Sequence, residues 1–329
     1  MDRKPDADAI AAFLDRLARE PWLEQQQRDW SRYLFHTTDV RNAASILHVG
    51  MLYSRREAVR RGLLANDQAA DSVMARTRLE DQSYARLYFR PRTPTAWHNE
   101  GIRKPRDLAY RSAHCPVPVA FAFDAKDVLT RADVRFSDQS VAHRDARVGQ
   151  DAAFLELLPW KDVYSLLPAN VPAKHAETLV PDRLPLDSTT WVFTRSAAER
   201  TTLLTLTGDC GGISPTCTEI RSRIRVNEKS SLFFRRWTYI DVVRVEHECL
   251  AVQFNPGTES PGPFEVSLTW TADIGAPPLS ESVPGVTARG VWRHVLPADC
   301  ADRPFRLRID LDGHLAFLGG LDPLPDVVF

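Results

Sequence analysis

Residues 6–19 place Ile10, Phe13, Leu14 and Leu17 at helical spacing, which makes one apolar stripe and predicts an amphipathic helix. Pro21 interrupts it, and EPWLEQQQRDW reads as a second, shorter helix. From Tyr33 the period changes. Tyr33, Leu34 and Phe35 read as a short strand, followed by a helix with Asp39 as N-cap and Gly50 as C-cap. Residues 54–80, rich in Arg, Ala and Asp, read as helix and loop. Strands are expected at SYARLYF and VPVAFAFDA, the second buried because its apolar run is continuous. FLELLPWKDVYSLL reads as short helix and loop, and HAETLVP as a strand between Pro172 and Pro181.

Beyond about residue 205 the pattern shortens into strand after strand: EIRSRIRV, SSLFFRRW, YIDVVRVEHECLAVQF, FEVSLTWTA, GVWRHVLP and FRLRIDLDG, separated by turn residues. That density predicts an all-β unit, sandwich-like. The expected fold class is α+β, in three parts. These are a helical arm at 1–29, a mixed domain at 30–205 and an all-β accessory domain at 206–329. The total of 329 residues suits two domains at about 150 residues each.

Charge sharpens the division. The whole chain has a net charge of -1, but residues 206–329 carry 12 Lys+Arg against 16 Asp+Glu, and residues 1–205 carry 30 against 27. A histone-like basic binder is excluded. Within the acidic part, residues 221–236 hold six Lys+Arg and one Asp+Glu. Arg221, Arg223 and Arg225 are expected on one face of a strand, with Arg235 and Arg236 among Phe233, Phe234 and Trp237. Cations interleaved with aromatics suit a nucleic-acid backbone and stacked bases; an exposed strand whose cations pair with nearby acids is the alternative. Five scattered cysteines favour a reducing compartment, and Cys210, Cys217, His247 and Cys249 match no common zinc spacing, so no metal is expected. The first residues lack a signal-peptide apolar core, and no run of about 18 apolar residues occurs, so the expectation is a cytoplasmic chain without membrane spans.

Four segments before residue 205 suggest one site. His36, Thr37, Thr38 and Asn42 lie where a strand meets a helix, a place where a ring N–H can reach a ribose hydroxyl and a helix N-terminus favours phosphate. The 72–78 segment has Arg76 and Arg78. YARLYFRPRTP combines Tyr84, Tyr88 and Phe89 with Arg86, Arg90 and Arg92. HAETLV begins a strand with Glu177. Each taken alone has an ordinary structural reading.

Taken in order, these segments resemble the DarT family of ADP-ribosyltransferases, toxins of toxin–antitoxin and phage-defence pairs. The family's H-x-T-x-x-x-N-L-x-x-I-L motif is matched by His36, Thr38, Asn42, Ile46 and Leu47, with Ala43 in place of Leu. Its Y-V-P-F-Y-F-x-P-R-S-P segment is matched by Tyr84, Tyr88, Phe89, Pro91, Arg92 and Pro94, with Arg86 and Leu87 replacing Pro-Phe. Its A-E-V-L-V strand is matched by Ala176, Glu177, Thr178, Leu179 and Val180. The resemblance spans roughly residues 30–195 and leaves the C-terminal extension uncovered.

The resemblance implies that NAD is cleaved as substrate and ADP-ribose is passed to a nucleobase, single-stranded DNA first and RNA second. Glu177 is the implied catalytic carboxylate, and Arg76 the implied catalytic arginine, with Arg78 close behind. His36, Thr38, Asn42, Tyr84, Tyr88, Phe89 and Arg92 are the implied NAD-binding set; which aromatics cover the nicotinamide and which support from behind stays open. An antitoxin of the macrodomain type is the implied partner. The alternatives are modification of RNA or protein, or an inactive binding module.

Overall fold

A computed structural model describes residues 2–67, 80–108, 113–167, 171–209, 215–228, 232–272 and 277–323. The implied catalytic Arg76 and its neighbour Arg78 lie outside the described residues.

The helices of the first part are α1 (Ala7–Leu17), α2 (Gln25–Trp30), α3 (Val40–Val49), α4 (Arg55–Arg60) and α5 (Pro94–Asn99). They are followed by α6 (Ala125–Leu129), α7 (Ala152–Glu156), α8 (Trp160–Val163), α9 (Ala197–Asp209) and α10 (Pro215–Arg221). The strands are β1 (Tyr33–Asp39), β2 (Met51–Tyr53), β3 (Tyr84–Tyr88), β4 (Pro118–Asp124), β5 (Arg135–Ser137), β6 (Val148–Gly149), β7 (Glu177–Pro181), β8 (Arg183–Pro185), β9 (Thr189–Thr194) and β10 (Ile224–Val226). Eight of them form one sheet in the order β10-β9-β4-β1-β3-β7-β5-β6. Inside it lies β4, between β9 and β1, whose residues Pro118–Phe123 are all buried, which explains the unbroken apolar run. The arm expected at 1–29 packs into the same core, through Ile10, Phe13, Leu14, Leu17 and Leu23.

Helix α3 starts and stops where its caps dictate. The Asp39 side chain accepts from the Arg41 N–H, and Gly50 takes φ +70°, a left-handed conformation that glycine adopts at no steric cost. The buried Asp39 carboxylate also receives Arg41 Nε at 2.9 Å. A carboxylate already caps this helix N-terminus and accepts one of its backbone N–H groups.

The C-terminal part has β11 (Ile240–Glu246), β12 (Cys249–Phe254), β13 (Phe264–Thr271), β14 (Leu279–Val286), β15 (Val291–Val295), β16 (Phe305–Leu311) and β17 (His314–Leu321). They form a three-stranded antiparallel sheet, β11-β12-β15, and a four-stranded one, β14-β13-β16-β17, over a shared core that includes Leu250, Val252, Leu268, Trp270, Leu307 and Ile309. The all-β reading therefore holds, with local corrections. EIRSRIRV is not one strand: residues 215–221 are helical and only Ile224–Val226 pair, parallel to β9. Ile220 and Ile224 are both buried four residues apart, a spacing that suits one helical turn as well as two strand repeats. SSLFFRRW forms no strand among its described residues. Strand β14, LSESVPGV, escaped notice because it is a polar edge strand with a proline.

The two parts are closely joined. The boundary expected at residue 205 falls inside α9, and β10 beyond it belongs to the large sheet. Leu315 and Leu318 of β17 enter the core of the first part, while Ile102 and Ala198 enter that of the second. Thr202 Oγ1 accepts the Leu318 N–H at 3.0 Å. The fully buried Arg195 guanidinium reaches Glu199, Glu100 (3.3 Å) and the Pro116 carbonyl (2.8 Å). Glu100 in turn accepts the backbone N–H groups of Phe234 and Arg235, both at 2.9 Å, which pins the segment after β10 onto the end of α5.

Candidate active site

Three neighbouring strands make the floor of a cleft of about 530 Å³. Register sets the floor. Phe35 of β1 faces Tyr88 of β3, and Tyr88 faces Glu177 of β7, so three motifs far apart in sequence fall in one row. Two strand steps separate β1 from β7, roughly 10 Å. Along β3, Tyr84, Arg86 and Tyr88 alternate with the buried Ala85 and Leu87, and all three line the cleft.

Glu177 is 1% exposed, with Arg86 Nη1 at 3.5 Å from its Oε2. Burial pushes its carboxyl above the ordinary range. Arg86, the Val141 N–H and the hydroxyls of Ser140 and Tyr88 oppose that rise without cancelling it. Tyr88 is driven up in turn by burial and by the adjacent Glu177, so its phenol stays protonated and donates to the carboxylate. The result is a desolvated carboxylate held from several sides, lining the cleft, with a proton affinity above that of an ordinary glutamate.

His36 lines the same cleft, its Nδ1 at 3.0 Å from the Arg86 carbonyl. Burial lowers its pKa, so the ring is neutral. A carbonyl only accepts, so Nδ1 carries the proton and Nε2 is left as an acceptor. The sequence suggested a ring N–H donated to a ribose hydroxyl; the geometry reverses the direction, with Nε2 receiving a hydroxyl hydrogen.

Thr38 and Asn42 line the cleft, and the Asn42 amide also ties a loop to it. Its Nδ2 donates to Thr38 Oγ1 (3.2 Å) and to the Asn66 carbonyl (2.7 Å), and its Oδ1 accepts the N–H groups of Ala65 (2.8 Å) and Asn66 (3.0 Å). Both donors are used, so Asn42 and Thr38 work as a latch that holds the 63–67 loop over the cleft. Beside it Arg55 pairs with Asp67 and reaches Gln82 Oε1 at 3.5 Å. Phe89 points away from the cleft, buried edge-on against Trp160 at 5.0 Å. Arg92 lies over the Phe234 ring at 5.2 Å and is not among the cleft-lining residues.

Sequence reasoning passed over Arg55, Ser140, His143 and His175, all of which line the cleft. Burial, with the nearby His143, Arg90 and His98, lowers the His175 pKa to about 4, so it is neutral at physiological pH. Its place directly before the Glu177 strand was the available signal. Ser140 and His143 lie in a long connection with no periodicity to mark them.

The five arginines read as a nucleic-acid strip do not share a face. Arg221 ends α10, and Arg223 pairs with Glu219 and the Thr189 carbonyl (2.6 Å). Arg225 lies over Trp191 at 5.3 Å on β10, the edge strand five steps from β7, roughly 24 Å from Glu177. Arg235 turns inward to Tyr239 and to the Arg195 and Asn227 carbonyls. Arg236 lies over the rings of Trp97 and Trp237, on the segment pinned to α5, much nearer the cleft.

A family model described as "ssDNA thymidine ADP-ribosyltransferase, DarT" matches residues 35–226, more than half of the 329. The chain belongs to the DarT family. The family activity is ADP-ribosyl transfer to thymidine in single-stranded DNA, and the chain is an ADP-ribosyltransferase of that class. The Thermus sp. 2.9 DarT in complex with ADP-ribosylated ssDNA has the same fold, at a TM-score of 0.50 and 18% identity, over 62% of this chain and 96% of that one. The same Thermus protein in complex with NAD+ aligns at 0.47 and 16%, over 62% and 98%. Thermosipho africanus DarTG in complex with ADP-ribose aligns at 0.45 and 17%, over 63% and 53%. No match is found among curated proteins. The family match ends at residue 226, so β11–β17 are an addition to the DarT core. No described helix is long and apolar enough to cross a membrane.

Proposed function

We propose that the chain takes NAD into the cleft and transfers ADP-ribose to a thymine of single-stranded DNA, with Glu177 as the catalytic carboxylate. The observation that carries this reading is the buried Glu177 carboxylate facing Tyr88 on the cleft floor, two strands from His36. The cleft volume lies within the range of small-molecule sites.

The nicotinamide–ribose bond breaks and its electron pair leaves with nicotinamide. C1′ of the ribose gains oxocarbenium character, as in glycoside hydrolysis. The Glu177 carboxylate stabilises that developing cation, while Arg86 and Tyr88 hold the carboxylate in place. Nε2 of His36 accepts a ribose hydroxyl hydrogen and fixes the sugar over the floor. In thymidine N1 already bears the sugar, so N3 is the ring nitrogen able to attack. The new bond is N3–C1′, and the N3 proton passes to Glu177, whose raised pKa suits it as acceptor. Arg76 or Arg78, outside the described residues, supplies positive charge for the pyrophosphate. A single strand is favoured because a paired base must be unstacked at a cost of a few kcal/mol. A modified thymine blocks copying of the strand, and the biological role follows as a growth-inhibiting toxin whose damage a macrodomain-type antitoxin reverses.

The test is intact-mass analysis of single-stranded DNA and RNA oligonucleotides, with and without thymine, after incubation with protein and NAD. An ADP-ribose adduct confined to thymine-containing DNA supports the reading. An adduct on RNA alone, or on the protein alone, refutes the substrate.

A further inference from the structure

One exposed aromatic beside the cleft is not among the residues that line it. Trp97 is 41% exposed, and no other Phe, Tyr or Trp of the described residues is in the exposed class. It sits on α5, where Thr93–Ala96 and His98–Glu100 line the cleft; Trp97 is not among the lining residues, and its exposed indole lies on the helix that forms that wall. An indole left in water beside a site forgoes the burial that usually stabilises so large an apolar group, by roughly 25 cal/mol per Å².

The indole is also held in place. The Phe234 ring meets it edge-on, with centroids 5.0 Å apart at 86°. The Arg236 guanidinium lies 4.5 Å over it. Both supporting residues come from the segment after β10, beyond the family match at 226. That segment is fixed by Glu100, which accepts the Phe234 and Arg235 N–H groups and is itself held by Arg195. The Ile102 N–H donates to the Thr238 carbonyl at 2.8 Å and continues the attachment. Two cations lie close by: Arg92 lies over Phe234 at 5.2 Å, and Arg236 also pairs with the half-exposed Glu259 at 2.6 Å. A braced, exposed aromatic with a guanidinium against it, beside the proposed nucleobase site, matches what single strands need, a π-face for a base and positive charge for a neighbouring phosphate.

We infer that Trp97, braced by Phe234 and Arg236, is a stacking platform for a base flanking the target thymine, and that the C-terminal extension completes the DNA-binding surface. The inference rests on the proposed reading that the chain modifies single-stranded DNA. Binding of a fluorescent single-stranded thymine oligonucleotide, measured by anisotropy, tests it. Trp97→Ala is expected to weaken binding about tenfold, the loss typical of one base–aromatic stack, while Trp97→Phe keeps most of the affinity. DNA-independent NAD cleavage should be unchanged in both. Wild-type affinity in a folded Trp97→Ala protein overturns the platform alone. A wild-type protein that binds no single strand overturns the platform and the proposed substrate together. Should the alanine variant fail to fold, photocrosslinking of the wild-type protein to an oligonucleotide with a photoreactive base beside the target thymine decides. A crosslink at Trp97 or Phe234 supports the platform, and one mapped elsewhere overturns it.

Discussion

Replacing Glu177 with Gln keeps the shape of the side chain and removes its charge. In the wild type the carboxylate is 1% exposed and lines the cleft. A unit charge about 4 Å away, at an effective dielectric constant of about 20, interacts by about 4 kcal/mol. The oxocarbenium carries only part of a full charge, so about 3 kcal/mol is the expected loss, roughly a hundredfold in rate. NAD affinity should change little, because the charge matters chiefly in the transition state. Stability moves the other way. A carboxyl whose folded pKa is raised adds stability below its unfolded pKa and loses it as pH rises through the folded value. Above that folded value the wild type bears the cost of a buried charge that the Gln variant lacks, and there the variant should melt at the same temperature or higher. The assay pairs single-turnover ADP-ribosylation of a thymine oligonucleotide with a thermal melt. A Gln variant that is folded and transfers at the wild-type rate would falsify the assignment of Glu177.

Three further outcomes follow from the same geometry. The rate should fall on acidification with a midpoint above the ordinary Glu range, since burial raises the Glu177 pKa, and Tyr88→Phe, which removes a hydroxyl that holds the charged form, should move that midpoint higher; a midpoint at or below the ordinary value contradicts both. Asn42→Ala deletes the latch on the 63–67 loop, which should raise KM for NAD and cost about 1–3 kcal/mol of stability; steady-state kinetics and denaturant melts measure the two effects. Arg195→Met leaves the buried Glu100 and Glu199 without their cation, and a loss of about 3–5 kcal/mol in a denaturant titration is expected.

Much of the site was written in short-range pattern. Asp39 and Gly50 bracket α3 by their capping chemistry alone, and that places His36 on the strand before it. The period of two in YARLYF separates Tyr84, Arg86 and Tyr88 from Phe89; strict use of it would have put Phe89 in the core from the start. Glu177 was legible as a carboxylate at the start of an apolar strand, but its partner Arg86 came from register, which no local pattern carries. The arginine strip failed because the four-residue spacing of Ile220 and Ile224 fits both helix and strand. The join between the two parts was invisible for a similar reason. Glu100 and Phe234 are 134 residues apart, and only the folded chain shows one capping the backbone of the other.

A crystal structure with a non-hydrolysable NAD analogue bound tests the central claim most directly. The dinucleotide should lie in the cleft, with its nicotinamide ribose within hydrogen-bond reach of the Glu177 carboxylate and a ribose hydroxyl on Nε2 of His36. A dinucleotide bound outside the cleft, or one whose nicotinamide ribose lies away from Glu177, would contradict it.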